Sequence, residues 1–251
     1  MAAWAVPDGL FRPGIVKWNP DHSERRALDK PEIERIVSHY PNASPIQRWH
    51  MRGRLALCPY EALLKHLTGP ENILDVGCGF GHLAWYLDTA RKGLRYFGTD
   101  IDARKIALAR GSHDPEAKSP EFKLGDVREV PGLPRFFGNI VFLDVLYLMP
   151  WNMQMRVMEW ALARLAPGAD SVLLIKTMDQ AEGFSGFRAV AEEWIMVRLL
   201  RRTVSSGSLN GARSASDYLD FARGLGFQGQ RESLRTFNPS SILTFRRSDS
   251  P

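Results

Sequence analysis

The densest chemistry in the chain lies in residues 73–81, Ile-Leu-Asp-Val-Gly-Cys-Gly-Phe-Gly. A short apolar run leads into three glycines at alternate positions, Gly77, Gly79 and Gly81. Glycines let a backbone turn sharply and approach a ligand closely. A helix that follows such a turn offers free N–H groups and the positive end of its dipole. This is the setting for the polar part of a nucleotide-type cofactor. The spacing G-x-G-x-G departs from the G-x-G-x-x-G of pyrophosphate-binding turns, and no Gly-Lys-Ser/Thr follows as a P-loop needs. Asp75 stands two residues before the first glycine. A carboxylate there repels a pyrophosphate and suits an ammonium group.

These residues need elements to position them, and hydrophobic periodicity supplies the elements. Strands are expected at 72–76, a compact apolar run, and at 94–99, 121–124, 139–143 and 171–175. Helical spacing appears between them: Tyr60, Leu63, Leu64 and Leu67; Leu83, Ala84 and Leu87; residues 103–109; and Met158, Ala161, Leu162 and Leu165. Five alternations imply parallel strands with crossover helices. A last helix is expected through Tyr218, Phe221, Ala222 and Leu225, capped by Ser214 or Ser216 and ended by Gly226. Two closing strands, 231–236 and 241–245, flank Asn238-Pro239 as an antiparallel hairpin. The expected fold class is therefore α/β: a doubly wound, mostly parallel seven-stranded sheet with an antiparallel C-terminal hairpin. Asp100, Asp126 and Asp144 then end three successive strands, at the edge where doubly wound sheets bind ligands.

Two segments lie outside this repeat. Residues 1–54 read as an irregular N-terminal extension with one short helix, capped by Asp29 and carrying Ile33, Ile36 and Val37 on one face. Residues 177–213 form a long insert after the fifth strand, with Phe187, Val190, Trp194 and Val197 at helical spacing and Arg198, Arg201 and Arg202 beyond. Both segments hold apolar side chains, among them Trp49, Met51, Met178 and Phe184, that could roof a pocket.

Composition narrows the class. The chain has 251 residues, 44% hydrophobic and 24% charged, enough for a real core without staples. Its two cysteines, Cys58 and Cys78, make neither a disulfide framework nor a cysteine-rich metal site, and read as reduced thiols of a cytoplasmic protein. The six histidines are scattered and no metal site is expected. No signal peptide is evident, and no apolar stretch approaches the ~20 residues of a membrane span. The net charge of +5 permits nucleic acid or an anionic membrane surface as a partner without requiring either.

Residues 55–247, and above all the motif Asp75-Val-Gly-Cys-Gly-Phe-Gly81, resemble the class I S-adenosylmethionine (SAM)-dependent methyltransferases, whose fold is Rossmann-like. The resemblance implies that Asp75, Gly77, Cys78, Gly79 and Gly81 hold the methionine part of SAM. It implies that Asp100 grips the ribose hydroxyls, Ile101 packs on the adenine, and Asp126 with the Val127 N–H meets the adenine edge. It places Asp144 beside the methyl donor. It makes 55–251 the cofactor domain, 1–54 a substrate cap and 177–213 a lid. A shorter likeness, in Arg48-Trp-His-Met-Arg-Gly-Arg54 with Leu57-Cys58-Pro59, is to bacterial methyltransferases of lipid or aryl-polyene pathways.

The expected reaction is methyl transfer to an O, N or C nucleophile of a small, hydrophobic or lipid-like acceptor. RNA or protein is the alternative acceptor, suggested by the arginine clusters. Asp144, Tyr147 and His50 are the candidate catalytic residues, with His82 a further base candidate. Strand four ends in Leu143-Asp144-Val145-Leu146, not the Asn/Asp-Pro-Pro-Tyr/Phe of amino methyltransferases of bases or glutamine. A binding subunit without activity and a nicotinamide enzyme are the remaining classes, and the loop spacing with Asp75 opposes the latter.

Overall fold

The computed structural model describes residues 28–89, 93–114, 119–178, 213–234 and 240–248. The insert helix expected around Trp194, the turn Asn238-Pro239 and the first part of the extension lie outside the described residues.

Helix α1 (Lys30–Ser38) starts where Asp29 predicts. Asp29 Oδ1 accepts from the Glu32 N–H at 2.9 Å, Glu32 accepts from the Asp29 N–H at 3.2 Å, and Pro31 presets the first turn. Ile33, Ile36 and Val37 are buried as their spacing requires. The rest of the extension corrects the sequence reading. Residues 45–57, expected to be largely irregular, form helix α2 (Pro45–Leu57). Ser44 and Gln47 make a second capping box, with Pro45 at the first helical position. Met51 and Leu55 are fully buried one turn apart, while Ile46 and Trp49 face outward, 55% and 57% exposed. Those outward apolar residues blur the period that Met51 and Leu55 set. Helix α3 (Tyr60–Leu64) follows Pro59 as expected.

The sheet is built from β1 (Asn72–Val76), β2 (Arg95–Asp100), β3 (Glu121–Leu124), β4 (Asn139–Leu143), β5 (Val172–Met178), β6 (Phe227–Leu234) and β7 (Ser240–Arg247). Its order is β3-β2-β1-β4-β5-β7-β6. The first five strands run parallel, and β7 pairs antiparallel with both β5 and β6. Helices α4 (His82–Thr89), α5 (Ala103–Gly111), α6 (Trp151–Ala163) and α7 (Ala215–Gly224) complete it. Alternate strand residues feed two cores: Ile73 and Leu174 pack with α1 to α5 on one face, and Leu74, Leu173 and Ile175 pack with α6 and α7 on the other. Five strand positions of β4 are all buried, as befits the centre of a parallel sheet.

The C-terminal hairpin starts earlier than the sequence suggests. β6 begins at Phe227 rather than 231, because an edge strand with exposed Gln228, Gly229, Gln230 and Arg231 shows no apolar alternation. Ser214, not Ser216, caps α7 through the Asp217 N–H, and Leu225 is 41% exposed rather than on the buried face with Tyr218 and Ala222.

Candidate cofactor and acceptor site

The strand ends converge where β1 meets the glycine turn. Gly77 has φ 75°, and a Cβ there would lie 2.5 Å from a Val145 methyl, so only glycine fits. The N–H groups of Gly77 and Cys78 both donate to the Thr99 carbonyl, at 2.8 and 3.0 Å, tying the turn to β2. Asp100, the last residue of β2, accepts from the Gly79 N–H at 2.9 Å through one oxygen and from the Asp102 N–H at 2.8 Å through the other. Each oxygen keeps a further lone pair. Ile101 beside it is 59% exposed, an unpacked apolar face next to an acid. Asp102 caps α5 by accepting from the Arg104 and Lys105 N–H groups.

Asp75 is 3% exposed. Its Oδ2 accepts from the Tyr96 hydroxyl at 2.7 Å, and its Oδ1 has no partner among the described residues. Burial pushes its pKa from the ordinary 3.8 up to about 7; the Tyr96 bond opposes this, the Asp100 charge adds to it, and Arg54 opposes it. A buried carboxylate with an unused oxygen fits a cationic ligand group.

Asp126 follows β3, next to Gly125, whose N–H donates to the Asp100 carbonyl at 3.0 Å. Both Asp126 oxygens accept from the Arg128 guanidinium, and the Arg128 N–H donates to one of them at 2.9 Å. This holds the acid below the usual carboxylate range and uses much of its acceptor capacity. Val127 is buried beside it.

Asp144 follows β4 with φ 56°, a left-handed turn that swings its side chain across the end of β5. Lys176 on β5 donates to both carboxylate oxygens at 2.7 and 2.8 Å, and Arg54 on α2 donates to Oδ2 at 3.1 Å. Burial alone would raise the Asp144 pKa, but the charges of Lys176 and Arg54 and their hydrogen bonds bring it below the ordinary value. His50, one turn before Arg54 on α2, faces Phe80 with ring centroids 5.9 Å apart. Its Nδ1 is buried without a partner among the described residues, and burial, then Arg54 and Lys105, push its pKa down to about 4. His82 at the start of α4 is 7% exposed, and burial, then Arg54 and His50, lower its pKa to about 3. Tyr147, in the 3-10 turn Leu146–Leu148, is buried and within electrostatic reach of Arg54.

The geometry thus brings Asp75, the glycine turn, Asp100 and Asp144 to the carboxyl ends of the parallel strands, with His50 and Tyr147 within electrostatic reach of Arg54, the partner of Asp144. Arg54, Lys176 and Tyr96 were not singled out from sequence. Two signals could have found the first two: Arg54 sits four residues after His50 on one helix, and Lys176 is a lone charge in a strand whose other described side chains are buried.

Residues 73–168 match the family model of a methyltransferase domain. A chain from Geobacillus sp. (strain WCH70) named as a methyltransferase is 30% identical over 109 residues, which is 43% of this chain and 41% of that one. Among solved structures, the magnesium protoporphyrin IX methyltransferase of Synechocystis PCC 6803 with bound SAM has 16% identity and a TM-score of 0.55, over 89% of this chain and 100% of that one. The plantazolicin methyltransferase BpumL, solved in complex with a pentazolic desmethylPZN analog and S-adenosylhomocysteine (SAH), has 12% identity and a TM-score of 0.56, over 88% and 100%. A Pyrococcus horikoshii OT3 protein matches at 16% identity and 0.56, over 88% and 100%. Residues 73–168 thus match a methyltransferase domain, and the chain has the class I, Rossmann-like methyltransferase fold.

Proposed function

We propose that this protein is a SAM-dependent methyltransferase acting on a small, hydrophobic or lipid-like acceptor. The observation that carries the reading is the unused Oδ1 of buried Asp75 at the mouth of the glycine turn. It supplies the acceptor that the ammonium of SAM requires, and Asp100 offers one remaining lone pair per oxygen to a cis-diol. Ile101 gives the adenine an apolar face. Asp126 and Val127 take the adenine edge, Asp126 through the acceptor capacity Arg128 leaves. SAM contributes a methyl group on an electrophilic sulfonium, and the chain contributes position and exclusion of water. Asp144, already bonded to two cations, serves in this reading as their anchor rather than as a proton acceptor. His50 and Tyr147 line the acceptor side. Ile46 and Trp49, exposed on the helix that carries His50, support an apolar acceptor.

Both cysteines are free, and among the described residues no helix is long and apolar enough to cross a membrane. We place the protein in the cytoplasm. Calorimetry with SAM, SAH and NAD tests the function. Micromolar binding of SAM and SAH with none of NAD is expected, and NAD binding without SAM binding ends the reading.

A further inference from the structure

Arg54, Lys176 and Asp144 bring two positive charges and one negative into a poorly hydrated corner. The side chains of Asp144 and Lys176 are only 6% and 10% exposed, and that of Arg54 is 37% exposed. Lys176 spends two N–H groups on Asp144, and Arg54 spends one terminal nitrogen on it. The remaining guanidinium donors have no partner among the described residues. One acid shared by two cations leaves a positive charge in excess beside buried groups, and a ligand anion is the natural complement. Arg54 is committed to the acid that ends β4, not to Asp75, whose bonded partner is Tyr96.

A second observation concerns the reacting atom. Three of the nearby groups that could remove a proton, Asp144, His50 and His82, are weak bases. Asp144 is held ionised with its oxygens engaged by cations. His50 and His82 are held neutral, with pKa values of about 4 and about 3. Bases of that strength take a proton poorly from an alcohol or an ammonium. A carboxylic acid has lost its proton before it binds.

We propose that the acceptor is a carboxylic acid, held as its carboxylate by Arg54 and Lys176 and methylated on oxygen. This rests on the methyltransferase reading above and names its substrate class. One carboxylate oxygen accepts from the two cations. A lone pair of the other attacks the sulfonium methyl carbon. The O–C bond forms as the S–C bond breaks, the bonding pair returns to sulfur, and a methyl ester and SAH result. No proton moves, so no base is needed.

The test uses the full chain and three probes with one alkyl tail: octanoate, 1-octanol and octylamine. SAH binding is measured first by calorimetry. Its absence removes the methyltransferase reading and this one with it. With SAH saturating, octanoate is expected to bind at least about tenfold tighter than 1-octanol or octylamine, as charge-assisted bonds to two cations require. Lys176→Gln and Arg54→Gln should erase that preference while changing SAH affinity less than about threefold when measured well above pH 7, where Asp75 is ionised in every variant. With methyl-labelled SAM, the octanoate product should release its label in alkali, as an ester does. Equal binding of octanoate and 1-octanol, no binding of octanoate, variants that keep the preference, or an alkali-stable product each overturn the proposal while leaving SAH binding intact. An Arg54→Gln variant that loses SAH and keeps the octanoate preference overturns it too, assigning Arg54 to the cofactor. The comparison of probes on the unaltered chain decides the matter if a variant does not fold.

Discussion

Asp75 sets the first pH dependence. Its carboxyl is surrounded by the Tyr96 hydroxyl, Cys78, Tyr60, Asp100 and Arg54, and its pKa lies near 7 against an ordinary 3.8. A raised folded pKa favours folding below the unfolded value and loses that contribution as pH rises through the folded one. The apoprotein should therefore lose stability between about pH 4 and pH 7 through this group. Buried His50 and His82 act with the opposite sign, because their lowered values cost stability as pH falls below about 6.5. The contribution of Asp75 is isolated by comparison with Asp75→Asn: the stability difference between the two proteins should change across that window in chemical denaturation. SAM affinity should rise through pH 7 in the parent, since the ionised carboxylate binds the ammonium, and stay level in Asp75→Asn. Asp100→Ala should weaken SAM by on the order of 2–3 kcal/mol, from unpaired ribose hydroxyls, with circular dichroism unchanged. Undiminished SAM binding by that variant would remove Asp100 from the ribose site.

At the scale of elements, α2 is the part that joins the N-terminal segment to the sheet edge. Its inner face buries Met51 and Leu55 completely, and its Arg54 bonds to Asp144 at the end of β4. Leu55→Ala should cost about 2–5 kcal/mol of stability in urea unfolding, the usual range for a buried leucine lost to a cavity. Ser44→Ala should cost about 1 kcal/mol through the lost cap, with SAH affinity retained. If Leu55→Ala unfolds at the same urea concentration as the parent, α2 is not part of the cooperative core. The glycine turn is the other decisive element. Gly77→Ala forces a Cβ into Val145 at a backbone angle that alanine avoids, so SAH binding should be lost even where the fold survives.

For the molecule as a whole, the proposed site spans the ends of β1 to β5 and α2, so a ligand that bridges them should stabilise all of them together. SAH at 100 times its dissociation constant should add about 2.7 kcal/mol to the unfolding free energy by mass action alone. NAD at the same concentration should leave the melting temperature unchanged. Equal shifts with both ligands would deny the site its selectivity.

Much of this architecture was legible in the chain because local physics writes it there. The apolar run Asn139–Leu143 marked β4 to the residue, since a strand buried on both faces has nowhere to put a charge, and β1 and β3 match to the residue although each carries charge. The glycine turn was legible because backbone approach leaves no other residue type available at Gly77. Helix α2 was missed although its cap lay in the open at Ser44, because Ile46 and Trp49 break the period of Met51 and Leu55. The edge strand β6 was cut short because solvent, not a core, faces most of its side chains. The tertiary structure alone decided the ion triad. Arg54 and Asp144 stand 90 residues apart, and Lys176 a further 32 beyond Asp144. No local pattern encodes that meeting. It follows from the sheet order, which sets β5 beside β4, and from the buried face of α2, which lowers Arg54 onto their ends.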